Sequence, residues 1–271
     1  MLSRDVPSVI ARRELVLVAV ILVGFTRLVQ PTDAFLISAL LPVVMLLAGI
    51  GVLGTERNPR PFEHLLVPAV LTGGAGAAIQ LVAPGLPMVP FLAVLALLLD
   101  RSLALEIRLL AQRGAATNSD RARVLLAAVV AAFVAFTGVT TLVPGGLAQP
   151  GGAAGGGTLS QGWLVVLVLY DAVVALLLGY RLAALRYGRA PDAARSALTY
   201  ALVVAVAAGA TRAIDVPRLL VPALLTLVFY LWDALHGAGP ARRREPRFLW
   251  ELGLLGVLGL IVAAWNLQLG G

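Results

Sequence analysis

Residues 163–182 read WLVVLVLYDAVVALLLGYRL, twenty positions at which only Asp171 and Arg181 carry charge. As an α-helix with a rise of about 1.5 Å per residue, this stretch is about 30 Å long, which matches the hydrocarbon core of a bilayer. Asp171 falls near its middle. A carboxylate at that depth costs about 2.5 to 3.5 kcal/mol even on insertion scales, so it is expected to face the interior of a helix bundle and to have a structural or functional partner there.

The rest of the chain agrees. Of 271 residues, 60% are hydrophobic and 13% charged, and the mean hydropathy is +0.94. Soluble domains sit near one half and one quarter, so the bilayer must be the main solvent of this chain. The reading is one all-α integral membrane domain over 1–271. The chain has no cysteine, which excludes disulfides, thiolate nucleophiles and cysteine-ligated metals. The net charge of +7 would suggest nucleic acid in a soluble chain. Here the basic residues lie in short connections between apolar runs, the orientation signal of a multi-pass protein, and no nucleic-acid partner is expected. All 21 basic residues are arginine, so no lysine is present to serve as a base or a Schiff-base amine. Genomic base composition is the plainer source of that bias.

Nine spans are expected, at 15–29, 35–53, 65–82, 87–99 (continuing as an amphipathic cytoplasmic helix to 112), 123–142, 163–182, 197–213, 219–235 and 248–267. The first has the outline of a signal peptide but no small-residue cleavage site after it, so it reads as an uncleaved helix. The run Gly73–Gly74–Ala75–Gly76–Ala77–Ala78 in the third span allows close helix approach and places that span inside the bundle. Gly253, Gly256 and Gly259 form a similar face in the ninth. Residues 144–162, PGGLAQPGGAAGGGTLSQG, bury too little to order themselves and read as a flexible outer loop. With the N-terminus in the cytoplasm and the C-terminus outside, eighteen arginines fall inside, and only Arg27, Arg212 and Arg218 remain near the outer face.

A hairpin repeat along the membrane normal is suggested by similar tetrapeptides near the outer ends of outward-running helices: GFTR (24–27), GAAI (76–79), GVTT (138–141) and GATR (209–212). Three returning helices carry an acid after an apolar run, at Asp100, Asp171 and Asp233. Two candidate sites follow. The first is an outer anion site formed by Arg27 and Thr26 with Arg212, Thr211 and Asp215, since arginine offers a rigid fork of donors and threonine a hydroxyl. The plainer alternative has each arginine snorkelling outward to a local acid, Asp33 or Asp215. The second is the ladder of Asp100, Asp171 and Asp233 as a proton path. For Asp100 and Asp233 the plainer reading is pairing at the cytoplasmic edge, near Arg101 and Arg108 in the case of Asp100, and for Asp171 a buried structural acid. His64 and His236 lack ligand spacing and read as solvated.

No GxSxG serine, aspartate-rich prenyltransferase motif or paired-aspartate phosphotransferase signature is present, and no cofactor is expected. The leading expectation is a transporter or lipid-handling protein that binds an anionic group near the outer leaflet. The alternatives are an accessory subunit that packs through its glycine faces, and a transferase acting on lipid-linked substrates. Expected partners are membrane lipids, other membrane subunits or a second copy through those same faces.

Overall fold

The computed structural model describes residues 9–53, 61–111, 117–142, 160–187, 189–214, 216 and 220–269. Ten α-helices form α1 (Val9–Thr26), α2 (Pro31–Leu53), α3 (Leu66–Ala78), α4 (Met88–Ala111), α5 (Asn118–Leu142), α6 (Gln161–Ala184), α7 (Ala190–Ala213), α8 (Val221–Gly237), the single turn α9 (Pro240–Arg243) and α10 (Pro246–Leu269). Short 3-10 turns, Pro61–Leu65 and Ile79–Leu81, flank α3. No strand occurs among the described residues. A helix covers most of each of the nine stretches expected as spans, which does not establish nine membrane crossings. Six stretches are long and apolar enough to cross a membrane: Asp33–Gly51, Phe62–Leu81, Met88–Ala111, Asn118–Leu142, Gln161–Ala184 and Ala190–Ala213. Helix α8 is apolar but has only 17 residues, and α1 opens with Arg12, Arg13 and Glu14. The glycine-rich stretch falls outside the described residues except at its end, where Ser160 caps α6 by accepting from the Trp163 amide.

Successive long helices run antiparallel, as their contacts require. Arg12, early in α1, meets Asp100, late in α4. A Cβ on Gly49, late in α2, would meet Leu65 just ahead of α3. Gly179, late in α6, lies against Tyr200 in the first half of α7. The starts of α1, α3, α5 and α7 therefore share one end of the bundle with the finishes of α2, α4, α6 and α8. Nearly all the described arginines lie toward that end, and only Arg27 and Arg212 lie at the other.

Helix α3 is the axis of the fold: every residue from Leu66 to Ala78 is buried. Its small side chains explain why. A Cβ added to Gly138 of α5 would stand 2.4 Å from the Gly74 carbonyl oxygen and 2.8 Å from Ala77 Cβ. One added to Gly74 would stand 2.6 Å from Ala135 Cα. The two parallel helices thus touch backbone to backbone, the arrangement that stretches of small residues permit in a membrane. The expected glycine face of α10 closes only in part. A Cβ added to Gly259 would stand 2.6 Å from Leu227 Cδ2 of α8, whereas one added to Gly253 would meet nothing within 4 Å. The helix runs along the bundle edge, with Trp250, Leu254 and Leu260 exposed.

Candidate functional site

The inner face of α6 is a helical stripe of Leu167, Asp171, Val174, Ala175, Leu178, Arg181 and Leu182. These positions recur at three- and four-residue intervals, so both charged residues are carried into the core by helix geometry. Near the sparsely charged end, Arg212 of α7 donates from Nη2 to Asp171 Oδ2 at 2.7 Å and from Nη1 to the Ala208 carbonyl at 3.1 Å. Arg212 is the penultimate residue of its helix and was expected to snorkel outward. Helical side chains lean toward the helix N-terminus, which for α7 lies deeper in the bundle. Arg212 therefore folds back one turn and reaches Asp171, leaving its side chain 8% exposed and that of Asp171 0%.

The pair is incomplete. Asp171 Oδ1 is buried and has no hydrogen-bond partner among the described residues. An ionised carboxylate accepts at both oxygens, and arginine commonly serves both with a two-pronged contact. Here only one oxygen is served. The arrangement is a desolvated cation and anion joined by one strong bond, and either charge left alone there would be costly.

The two GxTR segments do different things. Thr26 donates to the Gly76 and Val23 carbonyls, and Gln80 Nε2 donates to the Thr26 carbonyl at 2.6 Å. Arg27 donates from Nε to the Val82 carbonyl at 2.9 Å and from Nη1 to Gln80 Oε1 at 3.4 Å. These bonds tie the end of α1 to the end of α3. Thr141 of α5 adds a third tie by donating to the Ala77 carbonyl. Three of the four tetrapeptides (GFTR, GAAI and GVTT) thus meet at one junction, where they serve packing. Thr211 donates back to the Ala207 and Ala208 carbonyls. Both threonine hydroxyls thus donate to backbone carbonyls of the bundle. Asp215 lies outside the described residues.

Each of the three acids is closed by an arginine from another element. Asp171 has Arg212. Asp100 pairs with Arg12 of α1 at 2.9 Å rather than with Arg101 or Arg108, because α1 packs along its face of α4. Asp233 accepts from Arg186 Nη2 at 2.5 Å and from the Tyr200 hydroxyl at 2.7 Å, while Arg186 Nη1 donates to that hydroxyl oxygen at 2.9 Å. Replacing Tyr200 with phenylalanine removes one of the two donors to a buried carboxylate. It is expected to lower unfolding free energy in mixed micelles by about 1–3 kcal/mol.

A fourth charged cluster was not anticipated. Glu106 of α4 lies on the stretch expected as an amphipathic cytoplasmic extension of the fourth span, and its side chain is 2% exposed, as is that of Arg181. Arg181 donates from Nε to Glu106 Oε1 at 2.9 Å and from Nη2 to Oε2. His64, expected in solvent, lies with Nδ1 2.9 Å from Glu106 Oε2 and 3.2 Å from Arg181 Nη2. Beside it the Tyr180 hydroxyl donates to Glu63 at 2.9 Å. Glu106 continues the buried stripe of Leu95, Leu99 and Leu103, and Arg181 continues that of Asp171. That periodicity was the available signal. The cluster's partners satisfy one another, and two-pronged pairing of this kind locks α4, α6 and the turn before α3 together. No group of three metal ligands converges among the described residues.

Arg12 Nε, though 2.9 Å from Asp100, also lacks a hydrogen bond among the described residues, but Asp100 is partly exposed; the Asp171–Arg212 pair leaves an oxygen of a fully buried carboxylate unserved, which makes it the candidate site. Comparison with protein-family models, with curated proteins and with solved structures finds no match to this chain.

Proposed function

We propose that this chain is a nine-span protein of a prokaryotic cytoplasmic membrane, its N-terminus inside, that transports or handles a substrate with an anionic group by exchanging partners at Arg212. The observation that carries the reading is the buried, singly bonded Asp171–Arg212 pair with one Asp171 oxygen unserved. The crowding of arginines at one end supports the orientation, because cytoplasmic loops are enriched in arginine.

The exchange follows from charge balance. A substrate carboxylate or phosphate entering from the sparsely charged end competes with Asp171 for the guanidinium. Once released, Asp171 stays buried with no cation beside it, and such a group takes up a proton instead of remaining charged. One anion at Arg212 and one proton on Asp171 arrive together, and the net charge of the site is unchanged. Further in, Val174, Ala175 and Leu178 separate it from Arg181, giving an apolar barrier between the two charged layers.

In vesicles preloaded with a pH-sensitive dye, external inorganic phosphate or propionate serves as the probe anion. Wild-type protein is expected to move protons with the anion. Asp171→Asn retains the amide as a hydrogen-bond partner and should sever that coupling. Arg212→Ala should lower anion flux at least tenfold, the loss of one charge-assisted bond in a desolvated site. Unchanged flux and pH dependence in both variants would overturn the reading.

A further inference from the structure

A cavity of about 730 Å³ opens between α3, α4 and α5 toward the arginine-rich end, far along the chain from Arg212. Its wall is mixed: Leu98, Leu105 and Leu126 supply apolar surface, and Arg101, Arg108 and Arg123 line it beside them. Arg108 is partly neutralised by Asp120, which is itself fixed by the Thr117 hydroxyl at 2.7 Å. Arg101 and Arg123 have no ion-pair partner among the described residues, and both are exposed. Leu126 lies at the rim and is exposed as well, so the opening runs along the flank of the bundle where bilayer lipid lies.

An apolar trough bordered by three guanidinium groups and one carboxylate, Asp120, which acts on Arg108 and Arg123, keeps a net positive charge and is complementary to an amphiphile with an anionic head. Its volume lies in the range of small-molecule sites. Basic pockets between helices on the cytoplasmic side are suited to anionic headgroups, and arginine matches phosphate oxygens in pairs. We propose that this cavity holds an anionic phospholipid of the surrounding membrane, its phosphate on Arg101 and Arg123 and an acyl chain along Leu98, Leu105 and Leu126. The site is independent of the exchange at Arg212. A lipid here bridges α4 and α5 beside their Arg108–Asp120 ion pair.

The test is native mass spectrometry of the full chain released from nanodiscs of phosphatidylglycerol and phosphatidylcholine in equal amounts. The wild type is expected to retain phosphatidylglycerol preferentially. The Arg101→Ala/Arg123→Ala double variant is expected to weaken that retention about tenfold or more, at about fivefold per arginine near an anionic headgroup. Leu126→Trp, which fills the trough without altering charge, should also weaken it. Arg189→Ala/Arg195→Ala removes two exposed arginines from the same end and should leave it unchanged. Equal retention of the two lipids by the wild type overturns the proposal. So does a loss in the Arg189/Arg195 control as large as that in the Arg101/Arg123 variant, because binding is then general surface attraction. If the double arginine variant does not fold, Leu126→Trp decides: full phosphatidylglycerol retention in it also overturns the proposal.

Discussion

Replacing Arg181 with methionine is expected to lower the unfolding free energy by about 3–5 kcal/mol, as the midpoint and slope of unfolding in mixed micelles would show. The substitution keeps an unbranched apolar side chain of similar length, so little packing is lost. It removes both bonds to Glu106, and a carboxylate 2% exposed then sits without its cation. His64 remains within 2.9 Å of that carboxylate but serves only one of its oxygens. The companion experiment is the double variant Glu106→Met/Arg181→Met. Exchanging a whole buried ion pair for apolar side chains of like volume is often neutral or stabilising, so most of the loss should return. A single variant as stable as the wild type would mean that the cluster is solvated and that α4, α6 and the turn before α3 are held by other contacts.

The second large effect is steric. Gly138→Val should cost about 3 kcal/mol or more, because the added carbon meets backbone and not a flexible side chain. The Gly74 carbonyl oxygen at 2.4 Å and the Ala78 amide nitrogen at 2.9 Å yield only if α3 and α5 move apart, and α3 is buried along its whole length. Gly209 provides the contrast within the same protein. It lies in the interior of α7 with nothing within 4 Å of a Cβ. Gly209→Ala should therefore be neutral or stabilising by up to about 1 kcal/mol through helix propensity alone. Thermal unfolding midpoints of the two variants should move in opposite directions, or only that of Gly138→Val should fall. Equal behaviour would contradict the close crossing of α3 and α5.

Much of this architecture is legible from residue order because long apolar runs bounded by charged connections mark most of the helices. The run 163–182 lies within α6, and the expected span 123–142 within α5, to within a few residues at each end. The small residues from Gly73 to Ala78 mark the central helix, since only they permit backbone contact on several sides. Pairings between helices were harder to read. Local sequence offered Asp171 no arginine nearer than Arg181, and its partner lies forty-one positions on, brought near by the antiparallel return of α7. The direction of Arg212 was misread for a related reason: its place at a helix end suggests solvent, whereas the lean of helical side chains turns it inward. Glu106 and Arg181 are buried by register in spite of their charge. Both stand on apolar stripes, and a stripe position decides burial more firmly than residue type does when a partner of opposite charge waits across the interface.

The GxTR likeness was informative in an unexpected way. The threonine of each segment uses its hydroxyl on a carbonyl, in α1 across to α3 and in α7 back along its own turn. In α1 the final arginine then ties down the end of α3, and in α7 it enters the core. One sequence pattern thus gives a clamp in the first case and a buried ion pair in the second, depending on whether the neighbouring helix presents carbonyls or a carboxylate.

Infrared difference spectroscopy tests the exchange at Arg212 most directly. Reconstituted protein is perfused with and without inorganic phosphate or propionate at constant pH. Anion binding is expected to produce the carbonyl stretch of a protonated carboxylic acid and to deplete a carboxylate band. Both signals should be absent in Asp171→Asn and in Arg212→Ala. Anion binding that leaves the carboxylate band of the wild type unchanged, or a protonation signal that persists in Asp171→Asn, would contradict the account.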